Sequence, residues 1–450
     1  RYDQFERAKK GQIKIMIGPR SALFAPFPDL GLIVIDEEHE NSYKSDSMPK
    51  YHAREVAEHI ASVAEASVVL GSATPSVTSF YRAMNGEYGY FYLENRYNSR
   101  KLPTVYTVDL REELKKGNRS IFSGLLYQKM QERLLKGQQI MLFLNRRGYT
   151  SFLSCRSCGQ VLKCPHCDVS LTMHGNRKMV CHYCGYETPA VKICPHCGSR
   201  HIAGFKAGTE QVENNIRNMF PKARILRMDR DTTQKKDDYE KILSTFAAGE
   251  ADILIGTQMI VKGHDFPMVT LVGVLAADLS LGGGDYQAGE RTFELLTQAV
   301  GRAGRGELPG EAVIQTYQPE HYAIVDAASQ DYDSFYKNEI AYRQLCNYPP
   351  IRHMLAVLFT SDRQELATQA SNQTAELLKE SNDTGCQIIG PADAGIRKIN
   401  DVYRRMLYVR HEQYEELIKV KDLIENFMEQ KKKELARCSI YFDFDPMNGY

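Results

Sequence analysis

The sequence predicts an α/β protein with two open, mostly parallel sheets, a cysteine-rich insertion in the second, and a smaller α/β sandwich at the carboxyl end. Three observations carry this. Short apolar runs of strand length recur between helical stretches, each ending in a polar or glycine-containing loop. Eight of the 11 cysteines stand in four C-x-x-C pairs between Cys155 and Cys197. From about residue 331 the predicted elements run β-α-β-β-α-β, the order of a split βαβ sandwich.

The first lobe is expected over residues 1–118, with strands at Ile13–Ile17, Leu32–Ile35 and Ser67–Leu70. The second is expected over 119–154 and 199–330. Its strands begin at Gln138–Leu144, resume at Ala223–Leu226 after the cysteine block of 155–198, and continue at Asp252–Ile255 and Thr270–Leu275. The last domain, 331–450, opens on Leu355–Phe359. It ends on a strand in which Ile440, Phe442 and Phe444 alternate, after a helix with Leu417, Val420, Ile424 and Phe427 at helical spacing.

With 43% hydrophobic and 25% charged residues, the composition is that of a globular protein, and 450 residues suffice for two to four domains. No apolar run approaches the roughly 20 residues that span a bilayer, so no membrane partner is expected. Paired C-x-x-C motifs in a chain of this size read as metal sites in a reducing, cytoplasmic setting. The net charge of +1 argues for no nucleic-acid partner in bulk; such a partner must come from local patches. The chain opens on Arg1 with no Met, so an internal start is expected.

Four loops carry chemistry. Leu32–Ile35 delivers Asp36-Glu37-Glu38-His39 to its carboxyl end, where one carboxylate can hold Mg²⁺ and the next can orient an attacking water. Gly71-Ser72-Ala73-Thr74-Pro75 follows another strand with small hydroxyl side chains. Gly256-Thr257 through Lys262-Gly263-His264-Asp265 offers close backbone approach and a cation for a phosphate. Gln298-Ala299-Val300-Gly301-Arg302-Ala303-Gly304-Arg305 ends a helix on a turn holding two guanidinium forks suited to phosphate oxygens. Alone, each is also an ordinary loop; their order across two α/β lobes is the signal.

Together these loops resemble motifs II, III, V and VI of superfamily 2 helicases, and Gly18-Pro19-Arg20-Ser21-Ala22 is similar to an earlier motif that touches DNA backbone, with Pro19 where Thr is usual. Further residues narrow the resemblance to the PriA family of replication-restart DNA helicases. They include Tyr43-Lys44, Tyr51-His52-Ala53-Arg54, Asn145-Arg146-Arg147-Gly148-Tyr149, Gly208-Thr209-Glu210-Gln211, Met228-Asp229-Arg230-Asp231-Thr232 and Tyr348-Pro349-Pro350. Gly284-Asp285-Tyr286-Gln287 departs from the family pattern, so no DNA-contacting arginine is assigned there.

The resemblance implies two RecA-like lobes, the first incomplete. It implies that Asp36 coordinates Mg²⁺ with ATP and Glu37 activates water. His39 and Gln298 couple hydrolysis to movement, and Arg302 and Arg305 serve as arginine fingers. Thr257, Lys262, Gly263 and Asp265 link nucleotide state to DNA; Arg20, Ser21, Ser72 and Thr74 are coupling or DNA-binding residues, and Tyr43 and Tyr51 are the candidates to stack bases.

Eight thiolates fill two closed tetrahedral sites and imply two structural zinc ions. Spacing leaves open which pairs share an ion. The resemblance implies one zinc on Cys155, Cys158, Cys194 and Cys197 and another on Cys164, Cys167, Cys181 and Cys184. The neighbouring His166, His174, His182 and His196 are then surplus.

No G-x-x-x-x-G-K-S/T loop occurs in the 450 residues. The family carries it upstream, so an amino-terminal truncation and poor ATP binding by this chain alone are expected. Arg397, Lys398, Arg404, Arg405 and Arg410 mark a possible DNA face on the last domain. The resemblance implies an ATP-driven 3′ to 5′ DNA helicase of replication restart that recognises stalled or branched forks and directs primosome assembly. Its partners would be branched and single-stranded DNA, single-stranded-DNA-binding protein and helicase-loader proteins. The alternative is a non-catalytic zinc scaffold that docks primosome proteins.

Overall fold

A computed structural model of the chain describes residues 2–93, 102–144, 153–173, 178–203, 208–229, 232–233, 236–261, 266–282, 284–381 and 385–447. They divide into two compact units, Arg1–Tyr90 with Asn347–Tyr450, and Phe91–Cys346.

In the first unit, Leu32–Asp36 and Ser67–Gly71 pair in parallel, with Asp36 opposite Gly71. Helix Ala53–Ala64 joins them. Its alanines 53, 57 and 61 recur every fourth residue, so a thin stripe packs on both strands. His52 caps the helix by accepting from the Arg54 backbone N–H at 3.1 Å. Burial, then the Arg54 and Lys44 charges, holds the His52 imidazole neutral, down to about 2. The strand expected at Ile13–Ile17 does not form: the segment joins no ladder, and Ile15 and Ile17 are 79% and 95% exposed. A strand is defined by its neighbour, and no described segment pairs with this one.

The same unit holds the carboxyl-terminal sandwich, with the expected β-α-β-β-α-β order. Its strands lie in the order Gln387–Ile399, Val402–His411, His353–Ser361, Cys438–Phe444, every neighbour antiparallel. Leu355, Val357 and Phe359 alternate inward against helices Gln364–Glu380 and Tyr414–Gln430. Of the expected basic face, Arg397 and Lys398 stay exposed and Arg405 is half-buried. Arg410 is buried, its guanidinium 4.1 Å from the Tyr348 ring centroid, because its strand lies inside the sheet. Arg405 and Arg397 meet Asp393 at 3.1 and 3.4 Å, and Lys398 meets Asp401 at 2.6 Å.

The second unit is a parallel six-stranded sheet, ordered Ile225–Met228, Ile253–Gly256, Gln139–Leu144, Val269–Leu275, Glu311–Thr316, Thr104–Asp109. Gln139–Leu144 is buried at every residue, as a central parallel strand covered on both faces must be. Leu126 and Met130 from helix Gly124–Leu135, and Val212 and Ile216 from helix Thr209–Met219, pack on it. Two expected boundaries shift. Thr104–Asp109, expected in the first lobe, is the edge strand of this sheet, and Tyr106 and Val108 pack on its core. Helix Tyr332–Cys346, expected in the last domain, also belongs here: Arg343, fully buried, reaches Glu339 at 2.7 Å and Glu290 at 2.6 Å. Strand order along the chain does not reveal which sheet receives an edge strand.

Candidate catalytic loops and metal centres

The carboxyl end of Leu32–Asp36 turns sharply. Glu37 adopts φ 48°, and its N–H donates to Asp36 Oδ1 at 3.0 Å. Both carboxylates stay exposed, free for a cation or a water. The next two residues point inward. His39 is 4% exposed, and its Nδ1 lies 2.7 Å from Ser72 Oγ and 3.6 Å from Glu37 Oε2. Ser72 Oγ also accepts from the Thr74 N–H at 3.0 Å, while the buried Thr74 Oγ1 has no hydrogen-bond partner among the described residues. The acidic loop and the Gly71–Pro75 loop are therefore in direct side-chain contact.

A second link was not foreseen. Glu38, 2% exposed, accepts from the Ser76 N–H at 2.6 Å and the Ser79 hydroxyl at 2.8 Å, and Arg54 lies 3.6 Å away. Arg54 donates to Ser79 Oγ at 2.7 Å. A carboxylate so held is costly to remove, because its donors and the guanidinium would be left buried without it. The signal available was the spacing Ser76-x-x-Ser79 at a helix start, where Ser76 caps Val77–Met84.

Tyr43 and Tyr51 both occupy the segment after the acidic loop. The Tyr43 hydroxyl donates to the Asp36 carbonyl at 2.7 Å, and burial followed by the Asp36 charge pushes its ionisation up. Arg20 donates to the carbonyls of Ser42, at 2.8 Å, and Lys44, and its guanidinium sits 5.4 Å from the Tyr51 ring centroid. Ser21 follows it in the 3₁₀ turn Arg20–Phe24. Tyr43 thus holds the acidic loop, and Arg20 holds the segment that carries Tyr43.

In the second unit, Thr257 lies directly after strand Ile253–Gly256, and Lys262, Gly263 and Asp265 fall outside the described residues. Gln298 is on helix Ala288–Val300, which delivers Arg302 and Arg305 at its end. Arg305 Nε donates to the Gly301 carbonyl at 3.1 Å. Gly304 takes φ 70°, and a Cβ there would run into the Gly310 backbone, so only glycine closes this turn. Glu290 at the helix start is anchored by Arg343, so the helix carrying both arginines is fixed at both ends.

The cysteine block is one motif used four times. The N–H groups of Gly159, Asp168, Gly185 and Gly198 donate back to Cys155, Cys164, Cys181 and Cys194 at 2.8, 3.0, 2.9 and 3.0 Å. The same four residues adopt φ of 77°, 54°, 78° and 70°. Each C-x-x-C is thus a tight knuckle that presents two sulfurs. The sulfurs gather as Cys155, Cys158, Cys194, Cys197 and as Cys164, Cys167, Cys181, Cys184, each set within 4.8 Å.

Sulfur separations are 3.6 Å for Cys155–Cys197, 3.7 Å for Cys158–Cys194 and 3.6 Å for Cys164–Cys184. A tetrahedron of about 2.3 Å Zn–S bonds has edges of about 3.8 Å, so the geometry fits zinc. The protons tell the same story. The Cys167 thiol hydrogen-bonds to Cys181 and holds it down to about 5, while Cys167 itself is pushed up by the same bond and by burial, and Cys164 rises to about 12 through burial and the Cys181 charge. Four thiolates this close need a cation before all can ionise. His166 and His196 are exposed and outside both clusters.

The block is fastened to the sheet edge. Arg111 reaches the Cys158 carbonyl at 3.3 Å, Arg156 sits 4.5 Å from the Tyr317 ring centroid, and a Cβ on Gly159 would meet the Tyr317 carbonyl. Gly159→Ala is therefore expected to cost about 1–3 kcal/mol locally. It should speed zinc release from the Cys155 cluster to a chelator and leave the Cys164 cluster unchanged, as followed by a colorimetric zinc indicator.

A parallel sheet with loops of this chemistry at its strand ends, interrupted by a double zinc ribbon, defines a RecA-like helicase lobe with a metal-binding insertion. Three family models match: the helicase conserved C-terminal domain over residues 199–307, the PriA DNA helicase Cys-rich region domain over 164–189, and the primosomal protein N C-terminal domain over 344–447. Replication restart protein PriA of Bacillus subtilis is 46% identical over 100% of the chain, and that of Synechocystis sp. 42% over 99%. That of Chlamydia muridarum is 39% identical over 100% of the chain. The chain belongs to the PriA family of replication restart proteins, and spans 56%, 54% and 60% of the length of these three relatives. No described helix is long and apolar enough to cross a membrane.

Proposed function

We propose that the protein is an ATP-dependent DNA helicase of replication restart, moving 3′ to 5′ on stalled or branched forks and directing primosome assembly. The observation that carries this is the contact of His39 with Ser72, which ties an exposed carboxylate pair to the neighbouring hydroxyl loop. A scaffold needs no such transmission. In this reading Asp36 holds Mg²⁺ with ATP, Glu37 orients and deprotonates the attacking water, and His39, Ser72, Thr74 and Gln298 relay the result. Arg302 and Arg305 meet the developing phosphate charge. Arg20, Ser21, Tyr43, Tyr51, Thr257, Lys262, Gly263 and Asp265 respond to DNA.

Branched and single-stranded DNA are the substrates, and single-stranded-DNA-binding protein and helicase loaders are the partners; the work is done in the bacterial cytoplasm. The two zinc ions would stiffen a knob on the second sheet where partners or DNA dock. The second reading is a non-catalytic scaffold that docks partners through the zinc-binding block and the carboxyl-terminal sandwich.

The test uses Glu37→Gln, which keeps shape and removes the base. In a chain extended upstream to include a phosphate-binding loop, DNA-stimulated ATP turnover should fall about 10²- to 10⁴-fold. Fork affinity, read by fluorescence anisotropy, should hold. Unchanged turnover would remove Glu37 from the mechanism.

A further inference from the structure

The acidic loop is gripped by the far end of the chain. Lys44, one residue beyond Tyr43, donates from Nζ to the Phe444 carbonyl at 2.6 Å and pairs with Asp443 at 2.9 Å, where both side chains are 8% exposed. Lys50 lies 3.7 Å from the other Asp443 oxygen. Lys44 also forms a backbone bridge with His52, the helix cap, and the Ser45 N–H donates to the Tyr51 carbonyl at 2.8 Å, so Lys44 closes the neck of the loop.

Asp443 stands on strand Cys438–Phe444, and Asp445, just past the strand's end, is locked to His353 Nδ1 at 2.7 Å and to the Met354 N–H at 2.8 Å. The grip therefore runs from a fixed sheet edge, through one lysine, to the segment whose Tyr43 hydroxyl holds the Asp36 carbonyl. A surface ion pair adds little, but a buried one whose partner is removed leaves a charge stranded.

We propose that Lys44 and Asp443 form a clasp through which the carboxyl-terminal sandwich positions the acidic loop, so that the sandwich governs how fast that loop works. Both are positioning residues: neither reaches Asp36 or Glu37 directly. The proposal rests on reading Asp36–His39 as the hydrolytic loop. Displacement of a catalytic group by about 1 Å can cost up to 10²-fold, and the clasp is the strut that sets this distance.

Two measurements test it. The first needs no activity: hydrogen exchange on the 450-residue chain. Asp443→Asn should speed exchange over residues 41–52 by about 10-fold or more, while strand His353–Ser361 stays protected. Unchanged exchange at 41–52, or a loss of protection across the whole sandwich, overturns the clasp.

The second is ATP turnover in a chain extended to include a phosphate-binding loop. Lys44→Met and Asp443→Asn should each lower DNA-stimulated turnover roughly 10- to 100-fold, and Lys44→Arg should retain most of it. The double variant leaves neither charge stranded, so its thermal stability should recover while its turnover stays low. Turnover that recovers with stability, or that never falls, overturns the proposal. If the extended wild-type chain shows no DNA-dependent turnover, the helicase reading fails, and the exchange measurement alone decides the clasp.

Discussion

Arg305→Ala is expected to lower DNA-stimulated ATP turnover by about 10³-fold or more in a chain carrying a phosphate-binding loop, with fork binding near normal. A guanidinium that meets charge developing on the γ-phosphate acts on the transition state and little on the ground state, so KM for ATP should move far less than kcat. The turn is built to hold this side chain still: Nε is tied to the Gly301 carbonyl, and Gly304 closes against the Gly310 backbone. Arg305→Lys should fail to rescue, because a point charge lacks the planar fork. A KM that rises with kcat unchanged would assign Arg305 to ATP binding instead. The check is steady-state turnover beside anisotropy on the same fork.

Stripping zinc is the other large effect. The purified protein should hold two zinc ions, and elemental analysis showing one or none without chelator treatment would refute the paired clusters. Structural zinc sites supply roughly 10–16 kcal/mol each in small fingers, and the ribbon's strands are only two or three residues long. Chelation should therefore unfold the ribbon between Cys155 and Cys197, made visible by proteolytic cleavage there. The six-stranded sheet should survive, since Ile140, Leu142, Val212, Ile253 and Leu271 form a core without any ribbon residue. Cys181→Ser should lose one ion and Cys155→Ser the other. Loss of both from either variant would mean the sites fold as one.

Much of this was legible in the residues because the chemistry is local. A C-x-x-C pair encodes two thiolates for one ion, and Leu32–Ile35 followed by Asp36-Glu37-Glu38-His39 encodes a strand that delivers carboxylates. The β-α-β-β-α-β end was legible from alternation and helical spacing alone. The grouping of the knuckles was not, since four equivalent pairs permit several groupings; family resemblance supplied it, and the sulfur positions agree.

What stayed hidden is non-local. Thr104–Asp109 reads as a strand in either sheet, and only the Glu311–Thr316 edge claims it. Ile13–Ile17 has the composition of a strand and, among the described residues, no partner to make it one. Glu38, Arg54 and Arg410 are charged types that ordinarily face water; the helix-start spacing Ser76-x-x-Ser79 signals a cap but not that those serines hold Glu38, and no local pattern places a tyrosine ring over Arg410. The Lys44 grip on Phe444 spans 400 positions, beyond any periodicity.

Strand separation tests the central claim most directly. A fork with a labelled duplex arm is mixed with the upstream-extended protein, Mg²⁺ and ATP, and release of the labelled strand is followed over time. An ATP-driven helicase predicts release that requires hydrolysable ATP, proceeds from the 3′ end, and disappears in Arg305→Ala while the fork remains bound. Binding without release under any nucleotide, identical for wild type and Arg305→Ala, would contradict the helicase reading and leave the zinc scaffold.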